Sequence, residues 1–573
     1  MSEPGESGPG PAEMNRRAFF RIVATSGAAV AAAGCGKEAE ELLGQTPLKL
    51  IPYVVPPDGI VPGVAAYFST VCRECPSGCG LVAKNRDGRV IKLEGNPDHP
   101  VNAGALCIRG QAQLQGLYHP DRFRGAQSGG KAAAWDDVEK QAGDKLTALV
   151  KGRQGRRIAL VSGLETGSLG RLMDEWTRAL GARPRIAYEP LGYEALRAAN
   201  RAAFGRDAIP HYAIEEAGYL LSFGADFLET WINPVAYAGA FARMHALGRG
   251  RAGTFVHVEP RQSMTAANAD EWLRNAPGTE GVLALAMLQV ILEEGRHAKE
   301  ADAGALRAAV KGVDVAKAAE ISGVPAETIK RIAHDFAQAN GALAIGGGVA
   351  MTGPQATDTL IAVNLLNSAV GAVGKTIRFG ADAALGKTGS YADMTKLTQA
   401  MAAGEIDVLV LADVNPVYNM PAKSGFGEAL AKVGLVVSLA SHPTETTAKS
   451  TVVLPALHAL ESWGDYAARD GVVGLMQPTM GPVTMDGKPV DGKSTGDILL
   501  SLGRRALGTE EGKGPLKWGS FEEYVREQWQ GLARQHGGGK AFADFWEESL
   551  RRGGMWGAPA TAAVGKANIG RLT

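Results

Sequence analysis

The sequence predicts an α/β protein in which a parallel sheet carries helices on both faces. From residue 158 onward, short apolar runs alternate with alanine-rich stretches of helical character, which is the pattern of strands joined by crossover helices. The 573 residues are enough for about three or four domains, and the 75 glycines indicate many tight loops. The predicted strands are Ile158–Ser162, Tyr219–Phe223, Thr254–Val258, Ala342–Ile345, Val408–Leu411 and Leu435–Leu439.

The composition excludes several classes of protein. Lys and Arg total 60, as do Asp and Glu, so the formal net charge is zero. We therefore expect no nucleic-acid partner, because such proteins need a basic face. Apolar residues at 45% and charged residues at 21% exclude global disorder. All five cysteines lie in the first fifth of the chain, which is where chemistry is expected.

Residues 1–35 have the features of an export signal. An arginine pair, Arg16-Arg17, precedes an apolar, alanine-rich run over residues 22–34. This order resembles a twin-arginine signal, the route by which already folded proteins cross the membrane. The apolar run is about 13 residues long and a bilayer core needs about 20, so the run is not a permanent span. We expect the mature protein on the periplasmic side of the cytoplasmic membrane.

Cys35 closes a short segment, Ala32-Ala33-Gly34-Cys35, that resembles a lipoprotein processing site with Cys35 as the acylated residue. Ordinary signal-peptidase cleavage near Ala31, or no cleavage, is the alternative. One acyl chain anchors a protein only marginally, so a peripheral or lipid-anchored protein would still need a membrane partner. Residues 36–66 contain several prolines and are predicted to form a linker.

Four cysteines form a constellation with the spacing C-x2-C-x3-C and a distant fourth member. Four soft sulfur ligands select an iron–sulfur cluster or zinc, and three of them on one loop favour a [4Fe-4S] cluster. Gly78 and Gly80 allow the loop to wrap closely around a cluster. Disulfides, an empty site and zinc are the alternatives. The predicted cluster ligands are Cys72, Cys75, Cys79 and Cys107.

The surroundings of these cysteines carry a family resemblance. A predicted hairpin turns at Asp87-Gly88, the loop Gly95-Asn96-Pro97-Asp98-His99-Pro100 follows, and Cys107-Ile108-Arg109-Gly110 completes the pattern. Residues 67–125 thereby resemble the N-terminal iron–sulfur domain of the molybdopterin oxidoreductase (dimethyl sulfoxide reductase) superfamily. In that family the basic residue two positions after the last cysteine lies between cluster and pterin, and Arg109 matches it. A plain surface arginine is the alternative for Arg109.

Later segments extend the resemblance over residues 126–505. Val258-Glu259-Pro260-Arg261 resembles the family's D-P-R segment, and glycine-rich turns follow two predicted strands at Gly224 and Gly347. The family fold is a small N-terminal iron–sulfur β domain plus two doubly wound α/β domains. In the family these loops shape the pterin dinucleotide cleft. The resemblance therefore implies cofactor-binding roles for Arg109, Gly224, Glu259, Arg261 and Gly347.

The resemblance breaks at the position of the molybdenum ligand. Catalytic members use a Cys, selenocysteine, Ser or Asp side chain there, and the corresponding position falls near Leu191-Gly192. Glu189 and Glu194 are close in sequence, but we expect them to be solvated charges at a helix end. No catalytic residue is predicted, and the chain's own catalytic centre is in doubt. We do not expect a bound molybdopterin dinucleotide, although the loops that would hold one are present.

The C-terminal part is a second departure from the family. Catalytic members continue into a barrel that binds half of the dinucleotide, whereas residues 506–573 form a short extension. We therefore expect that barrel to be absent. Three tryptophans in the extension could face a partner or pack inside the fold, and packing is the preferred interpretation. They are Trp529, Trp546 and Trp556.

Residues 193–207 and 222–231 resemble the large iron–sulfur subunit of alternative complex III, a quinol-oxidising, polysulfide-reductase-like respiratory complex. The resemblance implies an exported iron–sulfur subunit in a membrane-bound complex that passes electrons to cytochrome c or an oxidase. It implies three partners: a ferredoxin-like multi-cluster subunit, a quinol-oxidising integral membrane subunit and c-type cytochrome subunits. The alternative is a catalytic molybdopterin-dependent oxidoreductase of the polysulfide or thiosulfate reductase type.

Overall fold

The N-terminal part of the described chain is a three-stranded antiparallel sheet. The computed structural model describes residues 61, 63–246, 252–349, 351–557 and 562, so the predicted export signal, Cys35 and nearly all of the linker lie outside the described residues. Strands β1 (Ala65–Val71), β2 (Gly80–Arg86) and β3 (Arg89–Gly95) pair in that order. Asp87 and Gly88 have φ angles of 52° and 80°, which a two-residue hairpin turn requires. The predicted hairpin is confirmed.

Helices and short strands alternate along the rest of the chain. The helices are α1 (Ile108–Leu117), α2 (Trp135–Lys151), α3 (Gly167–Ala179), α4 (Glu194–Phe204), α5 (Pro234–Met244), α6 (Met264–Ala267), α7 (Glu280–Glu293), α8 (Ala303–Ala309), α9 (Val315–Ser322), α10 (Ala326–Gln338), α11 (Ala356–Ala369), α12 (Tyr391–Ala402), α13 (Pro416–Asn419), α14 (Phe426–Leu430), α15 (Thr495–Leu507), α16 (Phe521–His536) and α17 (Phe542–Arg552). The strands are β4 (Gln127–Ser128), β5 (Lys131–Ala132), β6 (Ile158–Ser162), β7 (Ile186–Ala187), β8 (His211–Tyr212), β9 (Tyr219–Phe223), β10 (Thr254–Val258), β11 (Glu271–Leu273), β12 (Ala342–Gly346), β13 (Ile377–Arg378), β14 (Val408–Ala412), β15 (Leu435–Leu439), β16 (Val452–Val453), β17 (Gly464–Arg469), β18 (Val472–Met476), β19 (Thr484–Met485), β20 (Lys488–Pro489) and β21 (Gly554–Trp556).

Two separate sheets organise these elements. The larger sheet has the strand order β5-β4-β16-β15-β14-β6-β7, and it is parallel from β16 to β7. The smaller sheet has the order β11-β10-β9-β12 and is parallel throughout. Both sheets place the carboxyl ends of neighbouring strands at one edge, which is where open α/β sheets bind ligands.

The six predicted strands are all present, divided equally between the two sheets. β6, β14 and β15 lie in the larger sheet, and β9, β10 and β12 lie in the smaller one. Each is an almost continuous apolar run, as expected for strands covered by helices on both faces. In β14, for example, all five residues are buried. The α/β fold class with two such domains is confirmed.

Helices cover both faces of the larger sheet. One apolar cluster joins it to α2, α3, α15, α16 and α17, with Trp176 and Trp529 fully buried in it. A second cluster joins its other face to α12 and α14 through Met394 and Phe426. Around the smaller sheet, α10 and α11 pack on the strands, and α4 and α7 pack on α11. The carboxyl edges of the sheets are thus left to loops.

The C-terminal extension is integrated into the fold. α16 and α17 pack on the core of the larger sheet, and β21 pairs with β18 to extend the β17–β18 hairpin. Trp529 and Trp546 are 0% and 5% exposed, so the packing role preferred from the sequence is confirmed for both. Among the residues that the structure describes, no helix has the length and apolar character needed to cross a membrane.

Candidate functional site

The four cysteines of the constellation come from two segments that the β domain brings together. Cys72 follows β1, Cys75 and Cys79 precede β2, and Cys107 is the residue immediately before α1. The Cys72 N–H donates to the Cys79 carbonyl at 2.8 Å, which closes the loop. All four are free thiols, so the disulfide alternative does not match the structure.

The thiols lie close enough to act on one another electrostatically. Burial raises the pKa of Cys72 to about 12, and the neighbouring Cys75 and Cys107 add to this rise. Burial likewise raises the pKa of Cys79, and the other three cysteines contribute in the same direction. Without a metal, the two buried sulfurs therefore remain thiols. Bound iron would stabilise the thiolate form of these cysteines, and it would thereby offset the rise in their pKa values.

Two glycines make the cysteine loop compact. Gly78 has a φ of +59°, and a Cβ added to it would lie 2.4 Å from the Tyr466 ring. A Cβ on Gly80 would lie 2.4 Å from the ring of the buried His99. Neither position has room for a side chain. The sequence interpretation that these glycines permit close wrapping agrees with this packing.

Asn102 joins the cysteine loop to the segment that carries the fourth cysteine. Its side chain accepts from the Gly80 N–H at 2.8 Å and donates to the Gly80 and Ala105 carbonyls at 2.9 and 2.7 Å. Among the described residues, no three His, Cys, Asp or Glu side chains are placed to hold a single metal ion. A cubane distributes its thiolates over four irons, so its ligands surround a volume rather than a point. Four soft sulfur donors around a compact loop fit such a cluster.

Arg73 connects the cysteine loop to the larger sheet. Its guanidinium lies 3.8 Å from the centroid of the Tyr466 ring and donates to the Glu165 carboxylate at 2.9 Å. It also donates to the Leu164 carbonyl at 3.2 Å. Because these partners follow β6, the contact fixes the loop against the carboxyl edge of the larger sheet. Sequence reasoning missed Arg73, and no local pattern marks it.

Arg109 is exposed on the first turn of α1. Burial raises the pKa of both Glu74 and Glu189, and the charge of Arg109 opposes the rise at each. Arg109 therefore acts on the cysteine loop, through Glu74, and also on the turn before Leu191. Arg109 is thus an exposed arginine, and the place between cluster and pterin that the resemblance implies for it stays a prediction.

The first cleft lies between α4 and the turn after β12. Its volume is about 540 Å³, and its lining includes Leu191, Gly192 and Gly348. Leu191, near which the resemblance places the metal ligand of catalytic family members, is half exposed. Glu194 is exposed as expected, but Glu189 is partly buried and burial raises its pKa. The expectation of a fully solvated Glu189 is therefore wrong, because the turn folds over it.

Polar side chains in the first cleft bind one another. Arg197 donates to Asp207 at 2.9 Å and to the Thr388 carbonyl at 2.8 Å. Arg201 also donates to Asp207, at 3.2 Å, and Glu194 accepts from the Tyr391 N–H at 2.6 Å. These groups are satisfied without a ligand.

Apart from Arg109, the predicted cofactor-binding residues fall into two groups. Gly347, with a φ of +96°, belongs to the turn that forms the first cleft. Gly224 and Glu259 follow β9 and β10, where Arg261 lies 3.5 Å from Glu259 and 3.6 Å from the buried Asp226. This second group does not line the first cleft. Sequence reasoning did not select Asp226, although it follows the Gly224 turn directly.

The acidic pair of that second group is tightly held. Burial opposes ionisation of Glu259, but hydrogen bonds from His257 and Ser263 outweigh it and lower the pKa. Burial raises the pKa of Asp226, against a hydrogen bond from Thr265. Arg261, which is 61% exposed, covers both carboxylates from the solvent side.

The second cleft lies at the carboxyl ends of β6, β14 and β15 and directly adjoins the cysteine loop. Its volume is about 440 Å³. Arg73 and Glu74 form one wall, α1 contributes Gln113, and Phe521 of the C-terminal extension closes another side. Sequence reasoning selected none of these residues. A cavity at this edge fits the ring system of a cofactor, since its walls combine aromatic and hydrogen-bonding groups.

The chain combines a β domain that carries four cysteines with clefts at the edges of two α/β sheets. This combination is typical of iron–sulfur oxidoreductases. Residues 65–119 match the family described as molybdopterin oxidoreductase Fe4S4 domain, and residues 131–486 match the family described as molybdopterin oxidoreductase. The chain belongs to the molybdopterin oxidoreductase family.

The chain is similar to named subunits of oxidoreductases. The chain is 28% identical over 527 residues, 88% of this chain and 72% of the relative, to the "Menaquinone reductase, molybdopterin-binding-like subunit" of Nitratidesulfovibrio vulgaris. It is 25% identical over 482 residues to the "NADPH-Fe(3+) oxidoreductase subunit alpha" of Geobacter sulfurreducens, covering 77% of this chain but 56% of the relative. Acetylene hydratase from Pelobacter acetylenicus shares the fold, with a TM-score of 0.65 at 18% identity over 86% of this chain and 74% of that chain.

Proposed function

We propose that this chain is an exported iron–sulfur subunit of a membrane-bound, quinone-linked respiratory complex. It holds one [4Fe-4S] cluster at Cys72, Cys75, Cys79 and Cys107, which supplies one-electron transfer when bound, and it carries no molybdenum catalysis of its own. The observation that carries the proposal is a contrast. The cysteine set is complete, with three members on one compact loop and Cys107 on the neighbouring segment, whereas Leu191 stands near the position where the resemblance expects a metal ligand.

The chain's own residues have defined tasks in this proposal. Asn102 keeps the two cysteine segments in register, and Arg73 fixes the loop to the larger sheet. Cys107 stands at the positive end of the α1 dipole, which favours the negative charge of a thiolate-bound cluster. Arg109 is exposed next to it and is suited to facing an acidic partner surface.

The quinone link and the partners are proposed from the resemblance and from relatives. A relative named as a menaquinone reductase subunit supports a quinone-linked complex, while the resemblance to alternative complex III favours quinol oxidation. The partners we propose are a ferredoxin-like multi-cluster subunit, a quinol-oxidising integral membrane subunit and c-type cytochromes. The two directions can be separated on the purified complex. Menaquinol-driven reduction of cytochrome c supports the proposed direction, and menaquinone reduction by reduced cytochrome c without the reverse activity contradicts it.

Metal analysis of the complex purified from its native membrane tests the cluster. We expect no molybdenum, and we expect the Cys79→Ser complex to contain about four irons fewer than the wild-type complex and to have less visible cluster absorbance, because the partner subunits contribute the same iron to both. Cys35→Ser is the matched control, because it removes a cysteine that lies outside the constellation. Equal iron content in the Cys79→Ser and wild-type complexes would falsify the cluster assignment.

A second candidate function is a compact molybdenum-dependent oxidoreductase. It is favoured by the first cleft, whose 540 Å³ could admit a small substrate beside Leu191. One molybdenum per chain, together with reduction of polysulfide or thiosulfate by the purified complex, would establish it and refute the first proposal.

Export and anchoring are also proposals. We propose twin-arginine export and attachment to the periplasmic face through Cys35 or through the membrane subunit. Replacing Arg16 and Arg17 by lysine should leave folded precursor in the cytoplasm, and periplasmic accumulation of that variant contradicts the proposal. Cys35→Ser should remove any acyl mass from the purified chain, and an unchanged mass contradicts lipidation.

A further inference from the structure

Two pairs of like charges lie opposite each other near the turn between β2 and β3. In the register of these strands, Lys84 is the partner of Lys92 and Arg86 is the partner of Arg89. Cations directly opposite each other on neighbouring strands repel, so they oppose the pairing of the strands. A hairpin selected for stability alone would carry opposite charges or neutral groups at these positions. An anion that contacts both pairs would remove the repulsion.

The cations lie on the face of the sheet that points away from the core. Val90 and Leu93 enter the apolar cluster beneath the sheet, whereas Ile91 and Lys92 between them are both exposed. The register shifts after Lys84, which makes Ile91 an extra residue of β3 and forms a β-bulge. The bulge thus adds an apolar side chain to the cationic face.

Tyr67 of β1 completes this outer face. It lies opposite Lys84, whose Nζ is 6.0 Å from the centroid of the Tyr67 ring. Tyr67 and Ile91 are 62% and 49% exposed, so both present apolar surface to the solvent beside the cations. The term hairpin face is used below for six residues of β1, β2 and β3, namely Tyr67, Lys84, Arg86, Arg89, Ile91 and Lys92.

Carboxylates neutralise only part of the charge on the hairpin face. Glu94 binds Lys92 at 2.7 Å, and Asp87 lies 3.8 Å from Arg86. Within the part of the chain that the structure describes, the other member of each cation pair has no ion-pair partner. The hairpin face therefore keeps an excess of positive charge, which an anionic partner would complement.

The chain enters the described fold beside the hairpin face. The Gly63 N–H donates to the Asp87 carboxylate at 2.9 Å, which holds the start of the described fold at the turn between β2 and β3. The proposed export signal and Cys35 precede Gly63 in the chain. A protein held at a membrane through Cys35 is therefore tethered at a point next to the cations.

We propose that the hairpin face binds the anionic headgroups of phospholipids and thereby orients the protein on the membrane surface. Phosphate groups of neighbouring lipids meet both cation pairs at once. Tyr67 and Ile91 enter the boundary between headgroups and acyl chains, where an aromatic ring with a polar tip is favoured. This inference rests on the proposed function only in placing the chain at a membrane.

Binding of the purified full chain to lipid vesicles is the test. The chain carries Cys35→Ser so that no acyl group contributes to binding. The vesicles contain phosphatidylcholine alone or phosphatidylcholine with an equal part of phosphatidylglycerol. We expect stronger binding to the phosphatidylglycerol vesicles, and we expect this difference to shrink as the salt concentration rises, because salt screens exposed charges.

A double charge reversal on the hairpin face should weaken this binding. Lys84→Glu together with Arg89→Glu should lower the partition coefficient for phosphatidylglycerol vesicles by about tenfold or more. The matched control is Lys299→Glu together with Lys311→Glu, which makes the same change of charge at two exposed lysines outside the β domain. The control should bind as the wild type does.

Thermal unfolding separates the loss of binding from a loss of folding. The double variant of the hairpin face should have a thermal midpoint no lower than that of the wild type. The reason is that Lys84→Glu and Arg89→Glu each turn a pair of like charges into a pair of opposite charges. A lower midpoint shows that these cations are bonded within the protein and contradicts the proposal.

Three further results would overturn the proposal. They are equal binding of the wild type to both kinds of vesicle, equal binding of the double variant and the wild type, and equal binding of the double variant and its control. A double variant that keeps vesicle binding but leaves the complex shows that the hairpin face meets an acidic protein surface instead. Iron content should not change in the double variant, so iron decides the cluster assignment and vesicle binding alone decides this inference.

Discussion

The two clefts lie at the carboxyl edges of the two parallel sheets, but the polar side chains that line them differ in their hydrogen bonding. In the first cleft, Arg197 and Arg201 share Asp207, so the charged groups bind each other. In the second cleft, Gln113 and Ser462 are buried without partners. A ligand entering the first cleft must compete with existing bonds, whereas one entering the second would supply missing ones. The comparison teaches that clefts at the same edge of two parallel sheets can differ in whether their polar side chains are already bonded within the protein.

The clefts also differ in how firmly their walls are built. Arg122 and Glu461 form an ion pair below the second cleft with side chains only 1% and 0% exposed. The Glu461 carboxylate accepts two guanidinium bonds, at 3.0 and 2.7 Å, and also the N–H groups of His458 and Val483. The corresponding pair at the first cleft, Arg201 and Asp207, is 60% and 40% exposed. The second cleft is therefore held rigid, and the first is held by solvent-accessible contacts.

Glu461→Gln should have the largest effect on stability. It leaves the buried Arg122 charge without its counter-ion and turns an amide NH₂ toward two of the four donors. Breaking one partner of a buried ion pair typically costs about 3–5 kcal/mol. Urea unfolding monitored by circular dichroism should show a loss of this size in the free energy of unfolding.

The control for Glu461→Gln removes both charges together. Replacing Arg122 by Met and Glu461 by Leu in one chain should restore most of the stability, because no charge is then left buried alone. A loss below about 1 kcal/mol in the single variant would mean that water reaches the pair, which contradicts the picture of a rigid second cleft.

The fold was predictable where the signal is local. Each of the six predicted strands is found, because a strand buried on both faces must be apolar along its whole length. Their division between two sheets was not predictable from the residues alone. β6 pairs with β14 across some 250 residues, and no local pattern specifies that choice. Similarly, the cysteine spacing indicated a cluster loop, but nothing near Arg73 indicated that it would reach Glu165.

Part of the second cleft could not be predicted from the sequence. Gln113 lies among exposed glutamines, Gln111 and Gln115, and only the tertiary structure separates it from them. Its importance is that a partner is missing, which is a property of the surroundings and not of the residue. Glu189 was expected to be solvated, and its burial could not be predicted from the sequence because it depends on how one turn folds.

His458 should make the stability of the second cleft depend on pH. Its pKa is lowered from 6.5 to about 4 by burial, so between these values the unfolded chain binds a proton that the folded chain does not. Stability is therefore present above pH 6.5 and falls as the pH drops toward 4, by about 1.4 kcal/mol per unit. Urea titrations at several pH values should show a shallower slope in His458→Gln. His119→Gln, which removes a surface imidazole, is the control, and equal slopes in His458→Gln and wild type contradict the assignment.

Arg201→Ala should have the smallest effect and thereby sharpens the contrast. An exposed ion pair contributes about 0–1 kcal/mol, because water and salt screen it. Arg197, with 16% exposure, still holds Asp207 and the Thr388 carbonyl after the change. Unfolding midpoints in low and high salt should differ little from wild type, and iron content should not change. A loss above about 1 kcal/mol in Arg201→Ala would mean that the pair is shielded from solvent, and the distinction between the two clefts would then fall.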